Sequence, residues 1–186
     1  MHSLHIGLLI NPLAGLGGSL GRKGSDGQAL REIAGTLTPE QQQRSRQRAV
    51  RALACLTEID GVTFSTATGA MGAQTLEELG LVYREIQGAG PATGTAADTR
   101  AAALALRDAG IDLLVFVGGD GTARDVFDVV GQSLPVLGVP AGVKMHSGVF
   151  AVSPEAAGEL LLALAQGGLV GLSSQEVRDI DEEAFR

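Results

Sequence analysis

Short apolar runs alternate with helical patterns along this chain, and that alternation limits the fold more than any other feature. Leu4 to Ile10 is a short apolar run stopped by Asn11-Pro12, Val62 to Ala67 is a second, and Val82 to Ile86 is a weaker third. "LLVFV" at 113 to 117 is the strongest strand pattern, and Leu134 to Val139 is the next. A strand covered on both faces reads as a continuous apolar run, whereas a half-solvated one alternates. Helical patterns lie between these runs. Thr38-Pro39-Glu40-Gln41 supplies an N-cap, a proline at N1 and a glutamine at N3, and opens a helix that reaches about Leu56. Ala70 to Leu79 is helical. The stretch from 95 to 110 opens on Thr95-x-x-Asp98 and closes on Gly110. Another helix runs from about Ala123, and Pro154 to Gln166 is capped by Ser153. Strand, helix, strand with buried strands predicts an α/β fold, a parallel sheet with helices on both faces.

Composition narrows the setting. A chain of 186 residues suits one α/β domain, or one plus a fragment of a second. It should bury about 70% of the surface its unfolded form exposes, so no staple is required. Its single cysteine, Cys55, falls in a helical segment, reads as core and excludes a disulfide framework, which suits a reducing, cytoplasmic setting. The net charge of −7 argues against a general nucleic-acid or anionic-membrane surface. An anionic ligand must therefore be held locally. The N-terminus lacks the basic region of a signal peptide, and no window approaches the roughly 20 apolar residues of a membrane span.

Ligands of open parallel sheets sit outside the carboxyl ends of the strands. The loops after Ile10, Val117 and Val139 read "NPLAGLGG", "GGDGT" and "PAGVKMHSG". In the second, Gly118, Gly119 and Gly121 admit close backbone approach, and the following helix offers N–H groups and partial positive charge to a phosphate. Asp120 is the anomaly, because a carboxylate repels phosphate. It either serves chemistry, holding Mg2+ against phosphates or deprotonating an attacking hydroxyl, or it caps the helix after Val117. In the first loop Asn11 can hydrogen-bond a ligand, and Gly15, Gly17 and Gly18 leave backbone bare. The spacing fits neither a Walker A loop nor a dinucleotide fingerprint. In the third, Lys144 could pair with a phosphate, His146 could touch substrate or act as a base, and Ser147 is a further cofactor-binding candidate beside them. Arg44, Arg48 and Arg51 form a helical stripe that reads as a solvated face. Asp125 could reach a metal, whereas Asp128 reads as surface. His2, His5 and Cys55 make no metal cluster, and no zinc spacing exists.

Those three loops, in this order and between residues 4 and 151, resemble the NAD kinase superfamily, which includes diacylglycerol and sphingoid-base lipid kinases. Gly-Gly-Asp-Gly-Thr is its diagnostic element, and "GGDGTARDV" with "GVPAGVKMHSGVFA" looks like the ATP-NAD kinase or AcoX-like branch. The "NPLAG" opening is nearer the lipid-kinase version. The resemblance implies a Rossmann-like N-terminal domain over 1–172, with 173–186 as a crossover toward a missing or shortened β domain. It further implies ATP or polyphosphate with Mg2+ as donor system and the 2′-hydroxyl of NAD as acceptor. Asp120 would orient or deprotonate that hydroxyl. Gly118, Gly119, Gly121 and Thr122 would contact donor phosphates, and Asn11 would meet nucleotide. The family commonly self-associates, so a homo-oligomer is among the implications. Two alternatives stand beside this expectation: a nucleotide-binding or regulatory module without transfer chemistry, and a lipid kinase, which the acidic balance disfavours.

Overall fold

Strand order decides where a ligand can sit on this molecule. The computed structural model describes residues 3–12, 43–86, 96–141 and 149–167. Within them, β1 (Leu4–Ile10), β2 (Val62–Thr66), β3 (Tyr83–Glu85), β4 (Leu113–Gly118) and β5 (Val136–Pro140) form one five-stranded sheet in the order β3-β2-β1-β4-β5. Every pairing is parallel. The chain winds outward in one direction from β1 and in the other from β4, so the switch point lies between those two central strands. Every residue of β4 is buried, as are the last five of β1, which explains their unbroken apolar runs. The edge strand β3 is three residues long with two of them exposed, shorter than its apolar pattern predicts.

Side chains alternate across the sheet, so β1 and β4 feed two cores. Ile6, Leu8, Ile10, Val115 and Val117 pack against Ala49, Ala52 and Leu53 of α1 (Arg44–Leu53) and Ala157 and Leu161 of α5 (Pro154–Ala165). On the other face, Leu9, Leu114 and Phe116 meet Ala102, Ala103 and Leu106 of α3 (Ala96–Asp108) and Ala123, Val126 and Val130 of α4 (Asp120–Val130). The expected α/β fold with both faces covered is thus the observed one. Local signals account for several ends. Ser153 Oγ accepts from the Ala156 N–H at 3.0 Å and caps α5, and Gly110, at φ +78°, closes α3. The Thr38-Pro39 helix start, the Thr95 cap and the 173–186 crossover lie outside the described residues.

Three expectations need correction here. The helix anticipated over 70–79 is split into a 3-10 turn at Gly69–Met71 and α2 (Ala73–Glu78). Gly72 separates them at φ +159°, bridged to Ala67 and pressed against Thr66 and the Leu8 carbonyl. Cys55 is exposed, not core, because Ala49, Ala52, Leu53 and Leu56 form the buried stripe and Cys55 falls outside it. Its thiol lies 3.3 Å from the Gly158 carbonyl. The arginine stripe is not simply solvated. Arg51 pairs with Glu155 at 2.6 Å, and Arg48, half-buried, donates to the Pro140 carbonyl at 3.0 Å.

Gly158 marks a backbone-to-backbone approach of α1 and α5. A Cβ there would lie 2.5 Å from the Ala52 carbonyl oxygen and 3.1 Å from Cys55 Sγ. Glycine-to-alanine inside a helix ordinarily stabilises by up to about 1 kcal/mol. Here the clash outweighs that gain, and Gly158→Ala is expected to cost about 1–2 kcal/mol. A lower urea midpoint at unchanged m-value is the readout. Among the described residues no helix is long and apolar enough to cross a membrane.

Candidate functional site

Register brings two of the three glycine-bearing loops together. Ile10 pairs with Val117, so the residues after β1 and β4 leave the sheet side by side. The Asn11 N–H donates to the Val117 carbonyl at 2.9 Å, and Asn11 Nδ2 donates to Thr122 Oγ1 at 3.0 Å. One backbone and one side-chain bond thus lace the first loop to the start of α4 across the switch point. Gly118 pairs with Pro140, and its carbonyl accepts from the Ala141 N–H at 3.0 Å, which fixes the exit of β5 beside it.

The helix begins three residues earlier than its sequence pattern suggests. Gly119, extended at φ −109° and ψ −166°, is the N-cap, and its carbonyl accepts from the Ala123 N–H at 3.0 Å. Asp120 is the first helical residue and is half-buried. The N-cap position is thus Gly119's, and Asp120 stands one residue inside the helix, in its first turn. N–H groups of a first helical turn have no intrahelical acceptors, and their aligned dipoles amount to roughly half a positive charge. The 11-residue α4 directs that end at the switch point. An anion is favoured there, and Asp120 stands at its edge.

The glycines divide by cause. A Cβ on Gly118 would lie 2.5 Å from Thr122 Cβ and 2.7 Å from its Cγ2. Thr122 is only 4% exposed, so Gly118 has to be small to seat its own helix whatever else it does. A Cβ on Gly121, by contrast, would meet nothing within 4 Å, and Gly121 is exposed. Backbone there is open to an approaching group.

Other candidates fall away from this spot. Asp125 does not face the switch point, because Arg100 of α3 holds it at 3.3 Å and also holds Asp128 at 3.1 Å. Burial pushes the Asp125 carboxyl above the ordinary aspartate range, against the pull of Arg100. His5 lies near the opposite end of β1, its Nε2 2.7 Å from Ser65 Oγ. No group of three or more His, Cys, Asp or Glu residues able to hold a metal occurs among the described residues. Gly15, Gly17, Gly18, Lys144, His146 and Ser147 lie outside the described residues. Arg48, expected on a solvated face, is half-buried and reaches the Pro140 carbonyl instead. It sits three residues after Ser45 and four before Ala52, both buried, and this spacing borders the core face of α1.

A twisted parallel sheet whose switch point joins a glycine-rich turn, a helix N-terminus and one carboxylate defines a class of α/β domains that bind at the strand ends. Within that class the assignment is direct: the family model of the ATP-NAD kinase N-terminal domain matches residues 6–169, and the chain belongs to this family. No curated protein and no solved structure gives a match.

Proposed function

We propose that this chain is the phosphotransferase domain of an NAD kinase, moving a phosphoryl group from ATP or polyphosphate to the 2′-hydroxyl of NAD. The observation that carries the reading is the position of Asp120, first residue of α4, beside the Asn11–Thr122 bond at the switch point. Family membership supports the reaction class. Transfer of this kind is mostly positioning and charge neutralisation, so a few backbone donors and one carboxylate suffice.

The described residues fit a nucleotide with Mg2+. The open face at Gly121 and the α4 N-terminus suit donor phosphates. Mg2+ retains several waters and takes one or two carboxylates plus phosphate oxygens, so a separate cage of side chains is unnecessary. When bound, the ion neutralises charge on the donor phosphates. Asn11 and Thr122 hold the two loops in register. Asp120 orients the acceptor hydroxyl and takes its proton. The hydroxyl oxygen then bonds to the terminal phosphorus, the bond to the bridging oxygen breaks, and ADP or the shortened polyphosphate leaves.

The test supplies the full open reading frame with NAD, Mg2+ and either ATP or polyphosphate, and measures NADP with an NADP-specific dehydrogenase. NADP formation is the expected result. Nucleotide retention without NADP from either donor would favour the non-catalytic module, and phosphorylation of a lipid in its place would favour the lipid kinase.

A further inference from the structure

An acidic chain that handles a polyanion needs local positive charge, and Asp120 deepens that need at the switch point. Helix α1 supplies it from the lip opposite α4. The two helices cover opposite faces of the sheet, as the two separate cores show. α1 runs against the strand direction. Its C-terminal end leads to the foot of β2, where Val62 pairs with Leu4, while its Arg48 touches the head of β5. The N-terminal turn of α1 therefore stands at the carboxyl ends of the strands. Four arginines occupy eight residues there: Arg44, Arg46, Arg48 and Arg51. Arg46 pairs with Glu78 at 3.3 Å and Arg51 with Glu155 at 2.6 Å.

Arg48 differs. No carboxylate among the described residues lies within ion-pair distance of it. One of its amino groups donates to the carbonyl of Pro140, the residue paired with Gly118, and its remaining donors have no partner among the described residues. Burial, and then the charges of Arg51 and Arg44, hold the guanidinium below the ordinary arginine value. A half-buried cation repelled by its neighbours gains from an anion that its planar fork can grip through two parallel hydrogen bonds. Arg44 stands one turn above, about 6 Å further along the axis.

We infer that the α1 lip is a phosphate-chain subsite, in which Arg48, seated on the Pro140 carbonyl, binds the anionic chain of the donor with Arg44 above it. The inference rests on the phosphotransferase reading for the word donor. Its ligand chemistry, a linear polyphosphate chain, is shared by ATP and inorganic polyphosphate.

The experiment is calorimetric titration of the full-length protein with inorganic tripolyphosphate at two salt concentrations. Wild type should bind, more weakly at high salt. Arg48→Gln should weaken binding at least tenfold and flatten the salt dependence, Arg48→Lys should recover only part of the affinity, and Arg44→Gln should lose several-fold. The lysine variant separates charge from architecture, because it restores the cation without the seated fork. Equal affinity of Arg48→Gln and wild type, no recovery with lysine, or no tripolyphosphate binding by wild type would overturn the inference. Should Arg48→Gln fail to fold, unchanged affinity in both Arg44→Gln and Arg48→Lys would overturn it, and several-fold weakening in Arg44→Gln would sustain it. NADP formation is scored separately: it can persist while the subsite fails, and Arg48-dependent binding can persist while no NADP forms.

Discussion

Asp120→Asn is expected to lower kcat by about 10²-fold or more while the protein stays folded and still binds donor. Asparagine keeps the size and the hydrogen-bonding reach of the side chain but cannot take a proton from the acceptor hydroxyl. A 10²-fold loss corresponds to about 2.7 kcal/mol of transition-state stabilisation. The cost to folding should be much smaller. Asp120 lies in the first turn of α4 and the N-cap is Gly119, so the substitution forfeits a charge–dipole contribution of about 0.3–1 kcal/mol, while asparagine keeps hydrogen-bonding reach. Donor affinity should hold or tighten, since a negative charge beside the phosphates has gone. These readouts separate three roles. A proton acceptor loses kcat alone, a metal ligand raises the Mg2+ concentration needed for half-maximal rate, and a purely architectural residue loses thermal stability with kcat per folded molecule unchanged. Steady-state kinetics over a Mg2+ series, with a melting curve for each variant, decides among them.

The sheet was legible because its central strands are buried on both sides and so cannot alternate. Leu113 to Val117 can sit only in such a place. Asn11 and Thr122 could each be singled out from their loops, but their bond could not. They stand 111 residues apart, and only the register that pairs Ile10 with Val117 brings them within 3.0 Å. Glycine obscured two boundaries in opposite ways. Gly121 has a poor helix propensity, which hid a first turn that Gly119 caps from outside. Gly72 lay within an apparently helical pattern, yet its backbone is set by close approach to Thr66 and Leu8, a contact no local rule reports. Arg48 read as solvated for a related reason. A long side chain on the border of a buried stripe can reach a carbonyl 92 residues away, and periodicity sees only the stripe.

Gly118→Ala and Gly121→Ala should give opposite results, although the two residues belong to one motif. At Gly118 the new methyl would meet Thr122 Cβ and Cγ2 at 2.5 and 2.7 Å, inside a seam where Thr122 is nearly fully buried. Relief requires α4 to move off β4, which strains the 3.0 Å bond from Asn11 to Thr122 Oγ1. The expected cost is about 2–3 kcal/mol, seen as a lower urea midpoint, with nucleotide binding lost only in proportion to unfolding or to displacement of the α4 N-terminus. At Gly121 the methyl points into open space on a helical backbone, so stability should hold or rise by up to about 1 kcal/mol. What that methyl does occupy is the surface on which donor phosphates would lie against the first helical turn. Calorimetry with ATP should therefore show at least a tenfold weaker Kd for Gly121→Ala in a protein that melts no earlier than wild type. A Gly121→Ala variant with wild-type affinity would mean that the phosphates do not approach this turn, and that the anion-favouring end of α4 faces something other than the donor.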